Sequence, residues 1–315
     1  GMISPWNFPA FLAFTPLAGV FSAGNQVMHK PSEHTPITSA LMKELCDKTY
    51  DETEFATFLG GPETGAAFSE LHFDHLLYTG GGKVAKYVMK AAAKNLVPVT
   101  LELGGKSPVI LGESANLKAA AKRVMFGKTL NAGQICLAPD YVMVPRTKKD
   151  EFVESVKEVV SEYYPTLKDN DDYTSIINQN HYDRLNGLIE DARNKGAIVE
   201  TINPSNDDFS QQEFFKIPPT LISNIEDDMD VMKEEIFGPI LPIKEYDSLD
   251  ETIEYVNKND KPLGLYYFGT NKKEESDILE KTSSGGVTVN NVLSHLQQGD
   301  LPFGGVGPSG IGKYE

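Results

Sequence analysis

Short apolar runs alternate along the chain with segments whose apolar positions recur at helical spacing. Residues 8–24 are apolar almost throughout and predict a buried helix in spite of Pro16. Residues 26–30 predict a strand that stops at Pro31-Ser32. Ser32, Thr35 and Pro36 can then start a helix to about residue 49, with Ile37, Leu41, Met42 and Leu45 as its apolar stripe. Strands are expected at 55–59 and 75–78, the second running into Thr79-Gly80-Gly81-Gly82. An Ala- and Lys-rich helix over 83–96 and a strand over 98–103 complete this region. Such alternation predicts right-handed βαβ units on a parallel sheet. The first region reads as a doubly wound α/β unit.

Beyond Gly104-Gly105 the alternation continues less regularly. Strands are expected at 109–111, 141–144, 197–201, 214–222, 240–246, 265–270 and 286–290. Helices are expected at 117–130, 148–163, 182–195, 249–257 and 272–281, with a polar loop over 166–182. No internal repeat recurs, which excludes a solenoid. The expected division is 1–104, then 105–305, then a Gly-rich tail over 306–315 folding back over the active-site region.

A length of 315 residues suits about two domains. The 29 basic and 45 acidic side chains leave a net charge of −16, a poor match for nucleic acid or an anionic membrane. Acid clusters such as Asp169, Asp171, Asp172 and Glu226, Asp227, Asp228, Asp230 read as solvated surface, and no metal site is predicted. Two cysteines, Cys46 and Cys136, make no disulfide framework and point to a reducing, cytoplasmic setting. The apolar stretch 8–24 has 17 residues, is broken by Pro9, Pro16 and Gly19, and follows no basic residue, so it reads as neither signal peptide nor membrane span. The chain enters apolar sequence without preamble and stops just after a Gly-rich run; both ends read as cut.

Several stretches carry candidate chemistry. Gly133-Gln134-Ile135-Cys136-Leu137-Ala138-Pro139 sets a thiol on a bend between Gly and Pro, where a nucleophile can be exposed, although a lone cysteine is more often an inert small hydrophobe. Cys46, on an amphipathic helix, is expected to be buried and inert. Gly80-Gly81-Gly82-Lys83-Val84-Ala85 fits a phosphate-binding G-x-G-x-x-G/A turn, and Glu102 lies 22 residues after Gly80, where the rule places a ribose-binding acid. The fingerprint belongs on the first strand of such a sheet, however, and here it follows the third in the sequence reading. Lys30-Pro31-Ser32-Glu33 offers a second ribose site, or an ordinary polar turn. Glu102 ends an apolar strand, where burial would suit it to general-base work. Glu234-Glu235-Ile236-Phe237-Gly238-Pro239 places two acids and an aromatic before a Gly-Pro turn.

Taken in order, these stretches resemble one family, the aldehyde dehydrogenases. The blocks are Pro5-Trp6-Asn7-Phe8-Pro9, Lys30-Pro31-Ser32-Glu33, Tyr78-Thr79-Gly80, Leu101-Glu102-Leu103-Gly104-Gly105-Lys106, Gly133-Gln134-Ile135-Cys136, Glu235-Ile236-Phe237-Gly238-Pro239, and Pro302-Phe303-Gly304-Gly305 with Ser309-Gly310. They run from Pro5 to Gly312. Ala138-Pro139-Asp140-Tyr141 and the ending Gly305-Val306-Gly307-Pro308-Ser309-Gly310 look most like the class 3 and coniferyl-aldehyde branch.

The resemblance implies a Rossmann-type cofactor domain, an α/β catalytic domain, and NAD(P)-dependent oxidation of an aldehyde to a carboxylic acid. It makes Cys136 the nucleophile, Glu102 the base for thioester hydrolysis and Asn7 an oxyanion donor. It assigns the cofactor to Trp6, Lys30, Glu33, Thr79, Gly80, Gly81, Glu235 and Phe237, with NAD expected and NADP as the alternative. Glu33 and Lys30, rather than Glu102, then hold the adenosine ribose. Related thiol chemistry in an acyl-phosphate or acyl-CoA reductase is the rival enzymatic reading, and a weak or inactive fragment the other alternative. Ala85 stands where many members have Gly. Family members also carry an N-terminal extension and a C-terminal tail used in oligomer formation, so a perturbed homo-oligomer and exposed apolar surface flanking 8–24 are expected.

Overall fold

A computed structural model describes residues 1–313, and the chain forms two compact units: Gly1–Gly104 joined by residues from Gly299 onward, and Gly105–Gln298. Residues 299–305 thus group with the first unit, not with the span 105–305 assigned to them by sequence. The last two positions of the expected tail, 314 and 315, lie outside the described residues.

In the first unit, strands β1 (Met2–Ile3), β2 (Val27–Lys30), β3 (Phe55–Thr57), β4 (Leu76–Thr79) and β5 (Val99–Glu102) form a parallel sheet in the order β5-β4-β1-β2-β3. The short strand Gly310–Ile311 adds antiparallel to β5, and this pairing draws the C-terminal segment into the unit. Helices α1 (Pro9–Ser22), α2 (Pro36–Thr49), α3 (Pro62–Ser69) and α4 (Gly82–Ala93) connect the strands. Alternate residues of each strand serve opposite faces. Met2, Val27 and Phe55 join Leu17 and Cys46 on one side, while Leu76, Tyr78 and Leu101 pack with Phe68, Ala85 and Val88 on the other. Both faces are therefore covered by helices, the doubly wound arrangement.

Two elements are added and one expectation changes. β1, only two residues long and given no element by the sequence pattern, is the central strand, and its parallel bonds to β2 and β4 make it so. α3 lies in a stretch to which the sequence pattern gave no element; Pro62 starts it and Glu63 occupies its first turn, both favourable there. α2 buries only Met42 of its expected stripe, together with Ser39 and Cys46, while Ile37, Leu41 and Leu45 face solvent. Phe11 and Phe14 of α1 are exposed as well.

The second unit is built on β6 (Pro108–Leu111), β7 (Tyr141–Pro145), β8 (Ile198–Thr201), β9 (Thr220–Ser223), β10 (Ile240–Tyr246), β11 (Gly264–Phe268) and β12 (Gly286–Val289). Their order is β12-β11-β6-β7-β10-β9-β8, parallel except for the β8–β9 pair. Helices α5 (Leu117–Thr129) and α6 (Lys149–Tyr163) cover one face, meeting Val109, Leu111, Val142 and Val144. α7 (Gln179–Asn194), α8 (Asp230–Lys233), α9 (Leu249–Lys258) and α10 (Lys272–Lys281) cover the other, meeting Ile110, Met143, Leu265 and Tyr267. Sheltering on both faces explains the uninterrupted apolar run of β6. The strand expected over 214–222 shrinks to β9, because Pro218 and Pro219 offer no N–H to a ladder. No helix among the described residues is long and apolar enough to cross a membrane.

One buried histidine ties pH to the stability of the first unit. The His29 ring, 1% exposed, stacks on Phe55 at 5.9 Å between centres, and its Nε2 lies 2.8 Å from Ser4 Oγ. Burial, then the Lys30 charge, lowers its pKa from 6.5 to about 4. The unfolded chain therefore takes up this proton at higher pH than the folded one, and stability falls as pH drops through that window. At about 1.4 kcal/mol per pH unit, the loss approaches about 3 kcal/mol. His29→Gln is expected to flatten that part of the slope in urea unfolding between pH 7 and pH 4.5; an unchanged slope would show that other groups set it.

Candidate active site

The candidate residues fall into two groups, one in each unit. In the first unit they collect along a single edge. All five principal strands are parallel, so their carboxyl ends lie together. Chain direction across the sheet reverses at β1, which has β2 on one side and β4 on the other. Open α/β sheets bind ligands outside the carboxyl ends at such a switch point. Trp6 and Asn7 follow β1, Lys30 and Glu33 end and follow β2, Thr79, Gly80 and Gly81 end and follow β4, and Glu102 ends β5.

Lys30 is buried, and its Nζ donates to Glu33 Oε2 at 2.9 Å while the Glu33 carboxylate stays half-exposed. The Lys30 hydrogen bond and charge outweigh the effect of partial burial and lower the Glu33 pKa. Gly80 N–H donates to Glu102 O at 3.0 Å, and a Cβ at Gly80 would collide with the Tyr78 hydroxyl. Side chains at Gly81 and Gly82 would meet nothing within 4 Å, so the start of α4 is open, with amides available to an anion. This edge suits a dinucleotide: an open helix start for phosphate and a paired carboxylate for ribose hydroxyls. Glu102 is 2% exposed, and a Cβ at Gly304 would come within 3.1 Å of its Oε1. The burial expected for this carboxyl is present. The fingerprint rule fails at Gly80 because the first βα turn runs from Ser4 to Phe8, and the acid after the next strand is Glu33.

In the second unit the candidates gather at the opposite kind of edge, before the amino ends of β7 and β10. Asn131, Ala132 and Gly133 have φ of 50°, 51° and 73°, three left-handed residues in succession. Such a run is costly for Asn and Ala. Gly133 is obligatory there, since a Cβ would strike the Gly238 carbonyl and crowd Lys128 O at 2.9 Å. Buried Gln134 pins the turn: its Nε2 donates to Asn131 O at 3.0 Å and Ser175 O at 3.1 Å, and its Oε1 accepts from Ile177 N at 3.0 Å. Cys136 follows, half-buried, while Leu137 is buried and its carbonyl accepts from Tyr266 Oη at 2.6 Å. Cys46 is buried, and burial raises the pKa of its thiol.

The turn also reaches the second candidate loop. Asp140 is buried; its carboxylate accepts from Lys106 Nζ and, at 2.9 Å, from Ile236 N. Lys106 donates further to Val231 O at 2.8 Å and Glu234 O at 3.0 Å. Phe237, at φ 50°, is left-handed and half-buried. The Glu235 carboxyl accepts a hydrogen bond from the Gly105 backbone, and its Oε1 is sealed from solvent. Burial, then the Asp140 charge, raises its pKa to about 8, against the opposing charges of Lys106 and Arg184. Sequence reasoning did not single out Gln134, Asp140, Arg184 or Lys128 as functional; for Asp140 and Lys128 a charge near apolar residues was the available signal, and for Gln134 and Arg184 there was none. Among the described residues, no cluster of His, Cys, Asp and Glu could hold a metal ion.

The aldehyde dehydrogenase family model matches residues 1–315. The chain belongs to the aldehyde dehydrogenase family. A probable coniferyl aldehyde dehydrogenase of Caulobacter vibrioides is 61% identical over 314 residues, covering 100% of this chain and 65% of that protein. The chain thus spans about 65% of the length of this curated relative. Among solved structures, substrate-bound AldH of Staphylococcus aureus is 41% identical with a TM-score of 0.93, covering 99% of this chain and 67% of that one. Betaine aldehyde dehydrogenase of Staphylococcus aureus in complex with NAD+ is 27% identical with a TM-score of 0.89, covering 99% and 63%. The two-sheet α/β architecture is that of aldehyde dehydrogenases.

Lys128 sits awkwardly in this aldehyde dehydrogenase unit. It is 0% exposed, and its Nζ has no hydrogen-bond partner. Burial lowers its pKa from 10.5 to about 8, partly offset by the Asp140 and Glu235 charges. The unfolded chain holds this proton up to higher pH, so the full cost applies below pH 8 and disappears as pH rises toward 10.5. Lys128→Met is therefore expected to stabilise the chain at pH 7 by about 1–3 kcal/mol, with the gain shrinking above pH 8. Denaturant melts at pH 7 and pH 10 check both; a destabilised variant would mean that the ammonium has a favourable partner.

Proposed function

We propose that this chain carries the chemistry of an NAD(P)-dependent aldehyde dehydrogenase, converting an aldehyde to a carboxylic acid. The single observation that supports this most is the edge of the first sheet. There a buried Glu102, the Asn7 bend, the Lys30–Glu33 pair and an open α4 start share one line of strand ends.

When bound, the nicotinamide supplies a hydride acceptor. Cys136 Sγ adds to the aldehyde carbon and forms a thiohemiacetal. The Asn7 side-chain amide and the Cys136 backbone N–H hold the negative charge that develops on the former carbonyl oxygen. Loss of hydride from the carbon leaves a thioester on Cys136. Glu102 takes a proton from water, the resulting hydroxide attacks the thioester, the C–S bond breaks to give the acid and the Cys136 thiolate, and Glu102 releases its proton to solvent. Glu33 and Lys30 bind the adenosine ribose, Gly80 and Gly81 the pyrophosphate, with Trp6 and Thr79 beside them. Glu235 binds the nicotinamide ribose, and Phe237 packs beside the ring. The similarity to coniferyl aldehyde dehydrogenases favours an aromatic aldehyde as substrate.

Brief iodoacetamide treatment is expected to label Cys136 far faster than Cys46, read by peptide mapping. With an aldehyde and NAD, Glu102→Gln is expected to give a burst of reduced cofactor followed by turnover slowed about 100-fold or more. Loss of the burst would place Glu102 earlier in the reaction, and preferential labelling of Cys46 would remove Cys136 as nucleophile. NAD is expected to bind more tightly than NADP, because the Glu33 carboxylate repels a 2′-phosphate while Lys30 softens that repulsion. Equal or tighter NADP binding in a titration would show that Glu33 does not face the ribose.

A further inference from the structure

Glu235 and Phe237 sit on a loop that its own backbone would not hold, since Phe237 takes a left-handed φ of 50°. Two grips on that loop come from the segments before β7 and β6: Asp140 accepts from Ile236 N, and Lys106 donates to Val231 O and Glu234 O. The third comes from elsewhere. Arg184, in the second turn of α7, donates through one terminal nitrogen to Ile236 O at 2.5 Å. Through the other it donates to Glu235 O at 3.3 Å and Glu234 Oε1 at 3.0 Å. A guanidinium can span two successive carbonyls with a fixed fork, which a lysine ammonium cannot copy.

We infer that Arg184 is a positioning residue for the dinucleotide, acting through the backbone of Glu235 and Ile236 to aim the Glu235 carboxyl at the nicotinamide ribose. This rests on the role proposed above for Glu235. The arrangement has an electrical side as well. Lys106 and Arg184 oppose the burial and the Asp140 charge that keep Glu235 protonated, and Lys128 lies within electrostatic range of Glu235. Removing Arg184 therefore frees the loop and strengthens the proton's hold on the carboxyl, and both effects act on one contact.

Fluorescence titration of NADH, with ADP as the comparison ligand, tests the inference on the full chain. ADP ends before the nicotinamide ribose, so its binding does not depend on Glu235. Arg184→Ala is expected to weaken NADH binding about tenfold and leave ADP binding within twofold. Arg184→Lys should recover only part of the loss. Glu235→Ala should lower NADH affinity similarly, and the double variant should be no weaker than the weaker single variant. Losses that multiply in the double variant, or equal weakening of ADP, would overturn the inference and make Arg184 a general support of the fold. Should Arg184→Ala not fold, Arg184→Lys combined with Glu235→Ala carries the same comparison. A native chain that binds ADP and NADH while Arg184→Ala matches it overturns this inference alone; a native chain that binds neither overturns the cofactor reading with it.

Discussion

The second unit depends on a carboxylate that has been taken out of water. Asp140 is buried with Lys106 beside it, and such a pair repays its desolvation only when its remaining lone pairs and protons are also used. Here they are. The second Asp140 oxygen accepts from Ile236 N, the Asp140 N–H donates to Ser107 O at 2.8 Å, and Lys106 spends its other protons on two carbonyls. The segments before β6, β7 and β10 are thereby tied together through a few polar atoms. The left-handed run at Asn131–Gly133 can persist because Gln134 bonds back to Asn131 O and across to Ser175 O and Ile177 N, while the Asp140 network holds the segment that follows.

The two sheets use opposite ends. In the first, parallel strands and a reversal of strand order at β1 put a switch point at the carboxyl ends, and the candidates there come from the ends of β2, β4 and β5 and the loops leaving β1, β2 and β4. In the second, candidates come from segments entering strands: Cys136 before β7 and Glu235 before β10. The general rule for open α/β sheets describes only the first. What replaces it in the second is close backbone packing, with Gly133 against Gly238, together with the Asp140 network.

Lys128 and Arg184 show two fates of a cation near this loop. Arg184 satisfies itself on carbonyls and a carboxylate at a half-exposed position, so its charge costs little and orders much. Lys128 has its ammonium walled in without a hydrogen bond, and its proton is held weakly. The same contrast separates Glu33, whose carboxylate is stabilised by Lys30, from Glu235, whose carboxyl is pushed toward neutrality.

Much of the architecture was legible from periodicity. The helices over 249–258 and 272–281 and the strand over 240–246 fall within a residue of expectation, because their apolar spacing and flanking turn residues agree. The ordered blocks of Trp, Asn, Glu, Cys and Phe identified the family, and most of those residues lie in loops or at strand ends, where packing constrains residue type least. What tertiary structure alone decided has a common cause. β1 is central although two residues cannot show a period, α2 turns Ser39, Met42 and Cys46 inward rather than its full apolar stripe, and residues from Gly299 onward return to the first unit, with Gly310–Ile311 pairing with β5. Gln134, Asp140 and Arg184 matter through partners 40 to 100 residues away. Spacing along a chain reports local geometry, whereas a buried hydrogen bond between distant segments exists only once the fold has brought donor and acceptor together.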